Sequence, residues 1–328
     1  MGSYDKINYL LRPNKSVERK MVCEMLSGIS NIQNLSTYLY VGLGSVYFAD
    51  FMLFHRNLGI KKMVSIESDN KVKDRCEFNK PFSCIELKMG DSTTVLPNLN
   101  LQGTNSIVWM DYDSAISDSV FSDINTVVSK MTPDSFFMLS LNADTLKLKE
   151  PLEEDSDVVD PQRKVVEMIG DDRFPNRFRD VEMTAKQYLN LLHHCIMTEI
   201  NTAVQRRNGM NDDKVLFHQT VNFVYLDGIR MLTLGGFLFK QEDAEDHLER
   251  MCTRNLPFYK NDAEVYKIQC PVLSLKEIQA LNSHLPCIVH NDGKLEDDFL
   301  NKFPLNNSDI RKYAALYRYY PSYVETLL

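Results

Sequence analysis

Short apolar runs alternate with longer amphipathic stretches through the first half of the chain. Apolar residues at helical spacing over about 16–30 predict a leading helix. Short apolar runs then predict five buried strands, at about 37–41, 63–67, 84–89, 107–110 and 136–141. The stretches between the strands predict helices, at about 46–58, 70–79 and 118–131. Repeated strand–helix units of this length predict a parallel sheet with helices on both faces.

The pattern changes in the second half of the chain. A polar and acidic segment over 143–181 is followed by helical spacing over 183–207. Asp227-Gly228 then joins two strand-like apolar runs, at about 215–226 and 229–239. Asp-Gly between two apolar runs is a strong hairpin signal, so an antiparallel hairpin is expected to complete the sheet.

These patterns divide the chain into two parts. We expect a core over 1–240 that carries an insertion at about 143–214, and a small helical appendage over 241–328. Loops over the carboxyl end of a parallel sheet set specificity. The insertion is therefore expected to act as a lid that selects the substrate.

The first apolar run ends at a pair of glycines, Gly42 and Gly44, and the second ends at Glu67. Glycines let the backbone approach a ligand closely, and the following helix offers its positive N-terminus. A carboxylate after the second strand can accept hydrogen bonds from ribose hydroxyls. The sequence therefore predicts a pocket for a nucleoside-bearing cofactor at the carboxyl ends of the first two strands.

Two common nucleotide sites are excluded by the spacing of this turn. A dinucleotide fingerprint needs a third glycine three residues after Gly44, and Tyr47 stands there, where its ring would crowd a diphosphate. The phosphate loop of nucleotide hydrolases requires a glycine followed by Lys and Ser or Thr, and the chain contains no such tripeptide. A nucleoside cofactor smaller than a dinucleotide therefore remains as the expected ligand of this pocket.

Charge and cysteine content narrow the class of protein further. The net charge of −8 argues against broad electrostatic binding to DNA or RNA. No apolar run is long enough to cross a membrane. The seven cysteines include no Cys-x-x-Cys pair, which favours unpaired thiols in a reducing compartment. We therefore expect a cytoplasmic protein.

The order of these parts resembles the class I S-adenosylmethionine-dependent methyltransferases over roughly residues 30–240. The resemblance implies a sheet of order 3-2-1-4-5-7-6 with an antiparallel seventh strand. The sequence departs from the family at the glycine motif, where Tyr40 replaces an acidic residue and Val46 replaces a third glycine. Arg12, Lys15 and Arg19, ahead of the first strand, could replace the missing contacts to the methionine end.

The resemblance also implies a role for each polar residue at a strand end. Glu67 would bind the ribose, Asp91 would accept from the adenine amino group, and Asp111 would lie beside the sulfonium and the acceptor. A helix N-cap is an equally good interpretation of Asp91. The full set of implied cofactor-binding residues is Gly42, Gly44, Ser45, Tyr47, Glu67, Asp91, Ser92 and Asp111.

The segment Asp111-Tyr112-Asp113 carries the predicted chemistry. It lacks the Asn/Asp-Pro-Pro-aromatic motif of enzymes that methylate amino groups in DNA. Its Asp-x-Asp is similar to the strand-four motif of cation-dependent O-methyltransferases, so all three residues are predicted to be catalytic. In that family an Asp-Asn pair completes a divalent metal site. Because Leu141 precedes Asn142 here, a metal held by Asp111, Asn142 and Asp144 is not the favoured interpretation.

The sequence thus predicts a cytoplasmic S-adenosylmethionine-dependent methyltransferase that acts on oxygen. The acceptor stays open and could be a small molecule, a nucleotide, a protein or an RNA. The alternative is a nucleoside-binding module that has lost catalysis and works as a sensor or assembly subunit. The irregular glycine motif and the incomplete metal triad support this alternative.

Overall fold

The computed structural model describes residues 12–145, 148, 160–210, 212–286, 295 and 297–321. One sheet of order β3-β2-β1-β4-β5-β7-β6-β8 organises the fold. Its strands are β1 Leu39–Leu43, β2 Lys62–Glu67, β3 Ile85–Met89, β4 Ser106–Asp111, β5 Ser135–Asn142, β6 Val215–Asp227, β7 Ile229–Lys240 and β8 Tyr266–Lys267. Strands β1 to β5 are parallel, and β7 pairs antiparallel with both β5 and β6. The predicted order and the antiparallel seventh strand are confirmed.

Helices cover both faces of this sheet. They are α1 Pro13–Ser27, α2 Ala49–Leu58, α3 Lys73–Asn79, α4 Ser92–Val95, α5 Asp118–Lys130, α6 Pro161–Ile169, α7 Ala185–Met210, α8 Ala244–Met251, α9 Leu275–Asn282, α10 Asp297–Leu300 and α11 Asn307–Leu316. Successive strand residues point to opposite faces, so Tyr40 joins one core with α1 and α2, whereas Val41 joins the other with α5 and α7. None of the helices among the described residues has the length and apolarity of a membrane span.

Strand β1 runs two residues further than predicted, so Gly42 lies inside the strand and not in the turn after it. A side chain there would crowd the strand, since a Cβ on Gly42 would lie 2.8 Å from the Tyr40 hydroxyl and 3.2 Å from Asp50 Oδ2. Helix α2 begins at Ala49, three residues later than predicted, because Phe48 has a left-handed backbone with φ 47°. The predicted cap at Gly59 is confirmed by its φ of 69°.

Helix α7 is the longest element in the described part of the predicted insertion. It packs along α5, and its buried positions, among them Tyr188, Ile196 and Ile200, belong to the same core as that face of the sheet. A helix this deeply buried covers this face of the sheet. Val165 and Ile169 of α6 are buried in the same core. The role of the insertion as a lid stays a prediction. Residues 146–147 and 149–159 of the insertion lie outside the described part.

The start of the predicted appendage is joined to the main core. Leu248 of α8 and Ile268, just after β8, pack in the same cluster as α1. Strand β8 also extends the sheet by pairing parallel with β6. A separate apolar cluster forms further along, around Leu281, Phe299, Leu300, Ile310 and Tyr313. The domain boundary at 240 stays a prediction.

Helix α1 is held at both of its ends by distant parts of the chain. At its start, Asp227 accepts from the Lys15 amide at 2.9 Å and from the Asn14 side chain at 2.8 Å. Arg12, at the N-cap position, makes no capping hydrogen bond with its side chain, so the Asp227 carboxylate caps the helix instead. Nearer its other end, Glu24 accepts from Arg318 at 2.8 Å and from the Tyr319 hydroxyl. Both anchors fix the direction in which α1 presents its polar side chains.

Candidate functional site

The carboxyl ends of β1 to β4 enclose a cleft of about 370 Å³. This is the edge of the sheet at which open α/β folds bind ligands. Eight of the residues predicted from the sequence meet here, namely Gly44, Ser45, Glu67, Asp91, Ser92, Asp111, Tyr112 and Asp113. Gly42 and Tyr47 are not among the residues that line the cleft. Gly42 lies behind it in β1, and Tyr47 packs against the core of α1 and α2.

Gly44 sits where the ends of β1 and β2 come into contact. Its amide donates to the Ile66 carbonyl. A Cβ at this position would lie 2.7 Å from that carbonyl oxygen and 2.8 Å from the Glu67 Cβ. A residue with a side chain would force the two strands apart, so the close approach requires glycine. The space that this side chain would fill forms part of the cleft.

Glu67 ends β2 with its carboxylate largely buried in the cleft wall. Its Oε1 accepts from the Asp69 amide at 2.9 Å, which fixes the orientation of the carboxylate. Burial raises the pKa of Glu67, and the nearby Asp69 and Asp113 carboxylates raise it further. Hydroxyl groups of a ligand would stabilise this carboxylate, because their hydrogen bonds would replace the hydrogen bonds to water that burial removes.

Asp91 occupies the N-cap position of the short helix α4, but its side chain makes no capping hydrogen bond. The carboxylate is exposed and lines the cleft. The neighbouring Ser92 hydroxyl points elsewhere and donates to Asp123 Oδ2 at 2.5 Å. Asp91 therefore lacks the side-chain hydrogen bond that an N-cap would make. Ser92 is held in place by its hydrogen bond to helix α5.

The hydroxyl of Tyr112 is also engaged by helix α5. It donates to Asp123 Oδ2 at 2.7 Å. Burial raises the pKa of Tyr112 well above its ordinary value, and the Asp123 charge adds to the effect. A neutral hydroxyl that already donates its proton to Asp123 is a poor acid or base for an acceptor. Asp113, two residues beyond Asp111, is exposed at the rim of the cleft.

Asp111 ends β4 in an ion pair with the buried Lys15, and its own side chain is 29% exposed to the cleft. Lys15 Nζ lies 2.8 Å from Asp111 Oδ1 and 2.7 Å from Glu18 Oε2. The Lys15 side chain is only 1% exposed, and its ammonium lies 4.6 Å from the centroid of the Trp109 ring. Burial opposes ionisation of Asp111, but the Lys15, Arg19 and Arg12 charges outweigh it and hold its pKa below the ordinary value. Asp111 is therefore a fixed negative charge.

A further carboxylate, which the sequence did not reveal, lies in the cleft beside the glycine motif. Asp50, in the first turn of α2, accepts from the hydroxyl of Tyr40 and lines the cleft. Burial raises the pKa of Asp50, and the nearby Arg19 charge opposes the rise. Asp50 thus delivers a carboxylate to the place where Tyr40 replaces the acidic residue of the family motif. The sequence signal that could have revealed Asp50 is the combination of an aromatic residue at position 40 with an acidic residue at the start of the next helix.

The charged side chains of α1 reach the same part of the cleft. Arg19 is 8% exposed, lines the cleft, and lies close enough to Asp50 and Asp111 to influence the pKa of each. Arg19, ahead of the first strand, therefore reaches the cleft, whereas its contact with the methionine end of the cofactor stays a prediction. Lys15 instead faces Asp111 and Glu18.

No metal centre is evident in the described part of the chain. Nowhere in it do three or more His, Cys, Asp or Glu side chains converge as metal ligands would. Asn142 is 4% exposed, and its Oδ1 accepts from the Asp144 amide at 2.9 Å.

This sheet order, with a close glycine contact after β1 and carboxylates after β2, β3 and β4, defines a class I S-adenosylmethionine-dependent methyltransferase. The chain belongs to the family described as "Putative O-methyltransferase", which matches residues 7–328. S-adenosylmethionine is the cofactor of this class. No curated protein matches the sequence significantly.

Several solved structures are similar in fold. Trm1 from Pyrococcus horikoshii with S-adenosyl-L-methionine matches 72% of this chain and 58% of its own, at 9% identity and TM-score 0.46. The match to a probable spermidine synthase from Corynebacterium glutamicum covers 79% of this chain and 82% of the synthase, at 11% identity and TM-score 0.42. The match to the N-methyltransferase NodS from Bradyrhizobium japonicum covers 70% of this chain and 99% of NodS, at 10% identity and TM-score 0.37. This chain thus spans little more than half of the first of them.

Proposed function

We propose that this protein transfers the methyl group of S-adenosylmethionine to an oxygen atom of its acceptor, and that Asp111 is the catalytic carboxylate. The observation that carries the proposal is the ion pair between the buried Lys15 and the partly exposed Asp111 at the carboxyl end of β4. Asp111 there is both ionised and fixed in position, because Lys15 is itself held by Glu18. Family membership supports the choice of oxygen.

The cleft offers a partner for each part of the cofactor. The Arg19 guanidinium suits the methionine carboxylate, and the Asp50 carboxylate suits the methionine amino group. The Glu67 carboxylate suits the ribose hydroxyls, and the Asp91 carboxylate suits the adenine amino group. Gly44 lets the backbone approach the ligand closely. These five assignments form one continuous path along the strand ends.

When bound, S-adenosylmethionine would supply an electrophilic methyl carbon. An acceptor oxygen would bond to this carbon, and the electron pair of the broken carbon–sulfur bond would go to the positively charged sulfur. Asp111 accepts a hydrogen bond from the acceptor hydroxyl and so aims the oxygen lone pair. Its lowered pKa makes it a weak base. The oxygen becomes strongly acidic once methylated, however, so Asp111 can still receive its proton. Positioning within about 3 Å is the main contribution of the protein.

The other predicted catalytic residues take different roles in this proposal. The Tyr112 hydroxyl donates to Asp123 and forms part of the cleft wall. Asp113 lies at the rim, where its charge reaches Glu67. We retain a cytoplasmic location as part of the proposal, on the pattern of unpaired cysteines. The sensor alternative is disfavoured by the Asp111–Lys15 pair, because a module without catalysis has no need of a fixed carboxylate beside the acceptor.

The proposal is tested by thermal unfolding with added ligands. S-adenosylhomocysteine at roughly 100 times its Kd should raise the free energy of unfolding by about 2.7 kcal/mol. NAD at the same concentration should cause no shift, because six carboxylates line the cleft beside Arg19 and would repel a diphosphate; they are Asp50, Glu67, Asp69, Asp91, Asp111 and Asp113. A shift with NAD and none with S-adenosylhomocysteine would contradict the proposal. Turnover is measured separately, as transfer of labelled methyl to acceptors in a cell extract. Tight binding without any transfer would favour the sensor.

The ribose contact gives a prediction of its own. Glu67→Ala should weaken S-adenosylhomocysteine binding at least about tenfold, because two charged hydrogen bonds would be lost. Isothermal titration calorimetry measures the change. Glu86→Ala is the matched control, since Glu86 lies on the neighbouring strand β3 and is exposed outside the cleft. An unchanged Kd for the Glu67 variant would refute the ribose assignment.

A further inference from the structure

A network of buried polar side chains lies on the face of the sheet that helix α1 covers. The Trp109 indole donates to Ser140 Oγ at 3.0 Å, and Ser140 Oγ lies 2.6 Å from Thr233 Oγ1. The Thr233 hydroxyl donates in turn to Glu18 Oε1 on α1. Since Trp109, Ser140 and Thr233 belong to β4, β5 and β7, this buried network joins three neighbouring strands to the helix.

The chemistry of these groups fixes the direction of each hydrogen bond. The indole N–H of Trp109 can only donate, and a Glu18 carboxylate paired with an ammonium only accepts. Thr233 gives its single proton to Glu18, so the proton between the two hydroxyls must come from Ser140. All three donors therefore point toward Glu18. Hydrogen bonds that follow one another in the same direction polarise and strengthen each other.

The buried network reaches the cleft through Lys15. The Lys15 ammonium lies 2.7 Å from Glu18 Oε2 and 2.8 Å from Asp111 Oδ1. Lys15 and the four members of the network are at most 1% exposed, whereas Asp111 lines the cleft. Asp111 is therefore the group through which the network can influence a bound ligand.

Stability alone gives no reason for a buried network at this place. Burial removes the hydrogen bonds that charged and hydroxyl groups make to water, and well-packed apolar residues are often as stable as a buried ion pair or more so. Thr233 pairs with Ser140 in the register of β5 and β7, where valine would have the same shape as threonine. The network instead gives Glu18 one fixed orientation, which apolar packing would not give.

We infer that Thr233 and Ser140 are positioning residues for methyl transfer. Their hydrogen bonds orient Glu18, which holds the Lys15 ammonium, and the ammonium orients Asp111 toward the acceptor. Without the Thr233 hydroxyl, Glu18 would lose its donor and turn, and the ammonium would move with it from its place beside Asp111. The inference rests on the proposed function, because it concerns the orientation of the carboxylate assigned to that reaction.

Two substitutions of Thr233 separate the role of its hydroxyl from that of its packing. Thr233→Val keeps the shape and should lower the rate of labelled methyl transfer about tenfold, because a hydrogen bond to a charged group is lost. Thr233→Ser keeps the hydroxyl and should retain at least about a third of the wild-type rate. Both variants should bind S-adenosylhomocysteine within about twofold of the wild type, because no proposed cofactor contact is altered.

Thr220→Val is the matched control for these variants. Thr220 is a fully buried threonine of β6, and its hydroxyl has no hydrogen-bond partner in the described part of the chain. Its loss should leave the rate of methyl transfer unchanged. Should Thr233→Val not fold, Ser140→Ala interrupts the same network one step earlier and is likewise expected to slow transfer.

The buried network also has a spectroscopic signal of its own. Trp109 is the only tryptophan in the sequence, so a protein with isotope-labelled tryptophan gives a single indole N–H resonance. Thr233→Val should move this resonance, because Ser140 then loses the partner to which it donates and the hydrogen bond from Trp109 changes. Thr233→Ser should leave the resonance close to its wild-type position.

Wild-type transfer by Thr233→Val, or an equal loss of transfer in Thr233→Ser, would overturn the inference. Absence of methyl transfer by the wild-type protein would count against the proposed function instead. The indole resonance tests the network in that case as well. A resonance that Thr233→Val does not move would show that the hydroxyls are not connected, and would overturn the inference without reference to activity.

Discussion

Replacing Lys15 with methionine is expected to lower the free energy of unfolding by about 3–5 kcal/mol, because it leaves the buried Glu18 carboxylate without its cation. Lys15 lies between Asp111 and Glu18. Glu18 is fully buried, so water cannot replace the ammonium there. Methionine keeps the length and the apolar stem of the side chain, so the change is mainly one of charge. Urea denaturation, monitored by circular dichroism, measures the effect.

Two further variants make this result specific. Adding Glu18→Gln to the Lys15 variant should recover part of the loss, because one of the two stranded charges is then removed. Lys73→Met is the matched control, since Lys73 is an exposed lysine of α3, and its loss should change stability by no more than about 0.5 kcal/mol. A Lys15 variant as stable as the wild type would mean that the ion pair is not formed.

Asp111→Asn is expected to reduce methyl transfer about 100-fold or more while the protein stays folded. Asparagine keeps the shape of the side chain and removes the charge that aims the acceptor oxygen. Lys15 retains Glu18 as a partner, so the helix should remain in place. Transfer of labelled methyl gives kcat, and calorimetry with S-adenosylhomocysteine reports cofactor binding independently.

The pattern of losses assigns the role of Asp111. Loss of transfer with binding retained indicates a catalytic role, and loss of both indicates a cofactor contact. Asp113→Asn removes the same charge two residues further on, at the exposed rim, and should reduce transfer less than about tenfold. Wild-type turnover by the Asp111 variant would rule out the catalytic assignment. Loss of wild-type activity on adding a chelator would show that a divalent cation takes part.

Much of the fold could be predicted because its signals are local. Each strand of the parallel part is a short apolar run, and Asp227-Gly228 marks the hairpin by itself. Strand β8 was missed because two residues carry no periodicity, and its pairing with β6 depends on chain more than 40 positions away. The start of α2 was placed too early because a left-handed Phe48 has no sequence signal of its own.

The candidate site shows the same limit. Glu67, Asp91 and Asp111 could be found because each directly follows a strand, and strand ends meet at one edge. The role of Lys15 could not be derived with the same certainty, since it approaches Asp111 from 96 positions away. Asp50 was missed because its proximity to Tyr40 depends on the direction in which α2 leaves the turn. Long-range packing decides such contacts.

The two anchors of helix α1 have a consequence for the order in which the protein matures on the ribosome. The helix that carries Lys15 and Arg19 is synthesised 212 positions before Asp227, which caps it, and its Glu24 is synthesised 294 positions before Arg318, which holds its other end. At about 5–20 residues per second, this interval lasts many seconds. A nascent chain can build β1 to β5 during that time. It can complete both anchors of α1, which carries Lys15, only after Arg318 has been synthesised.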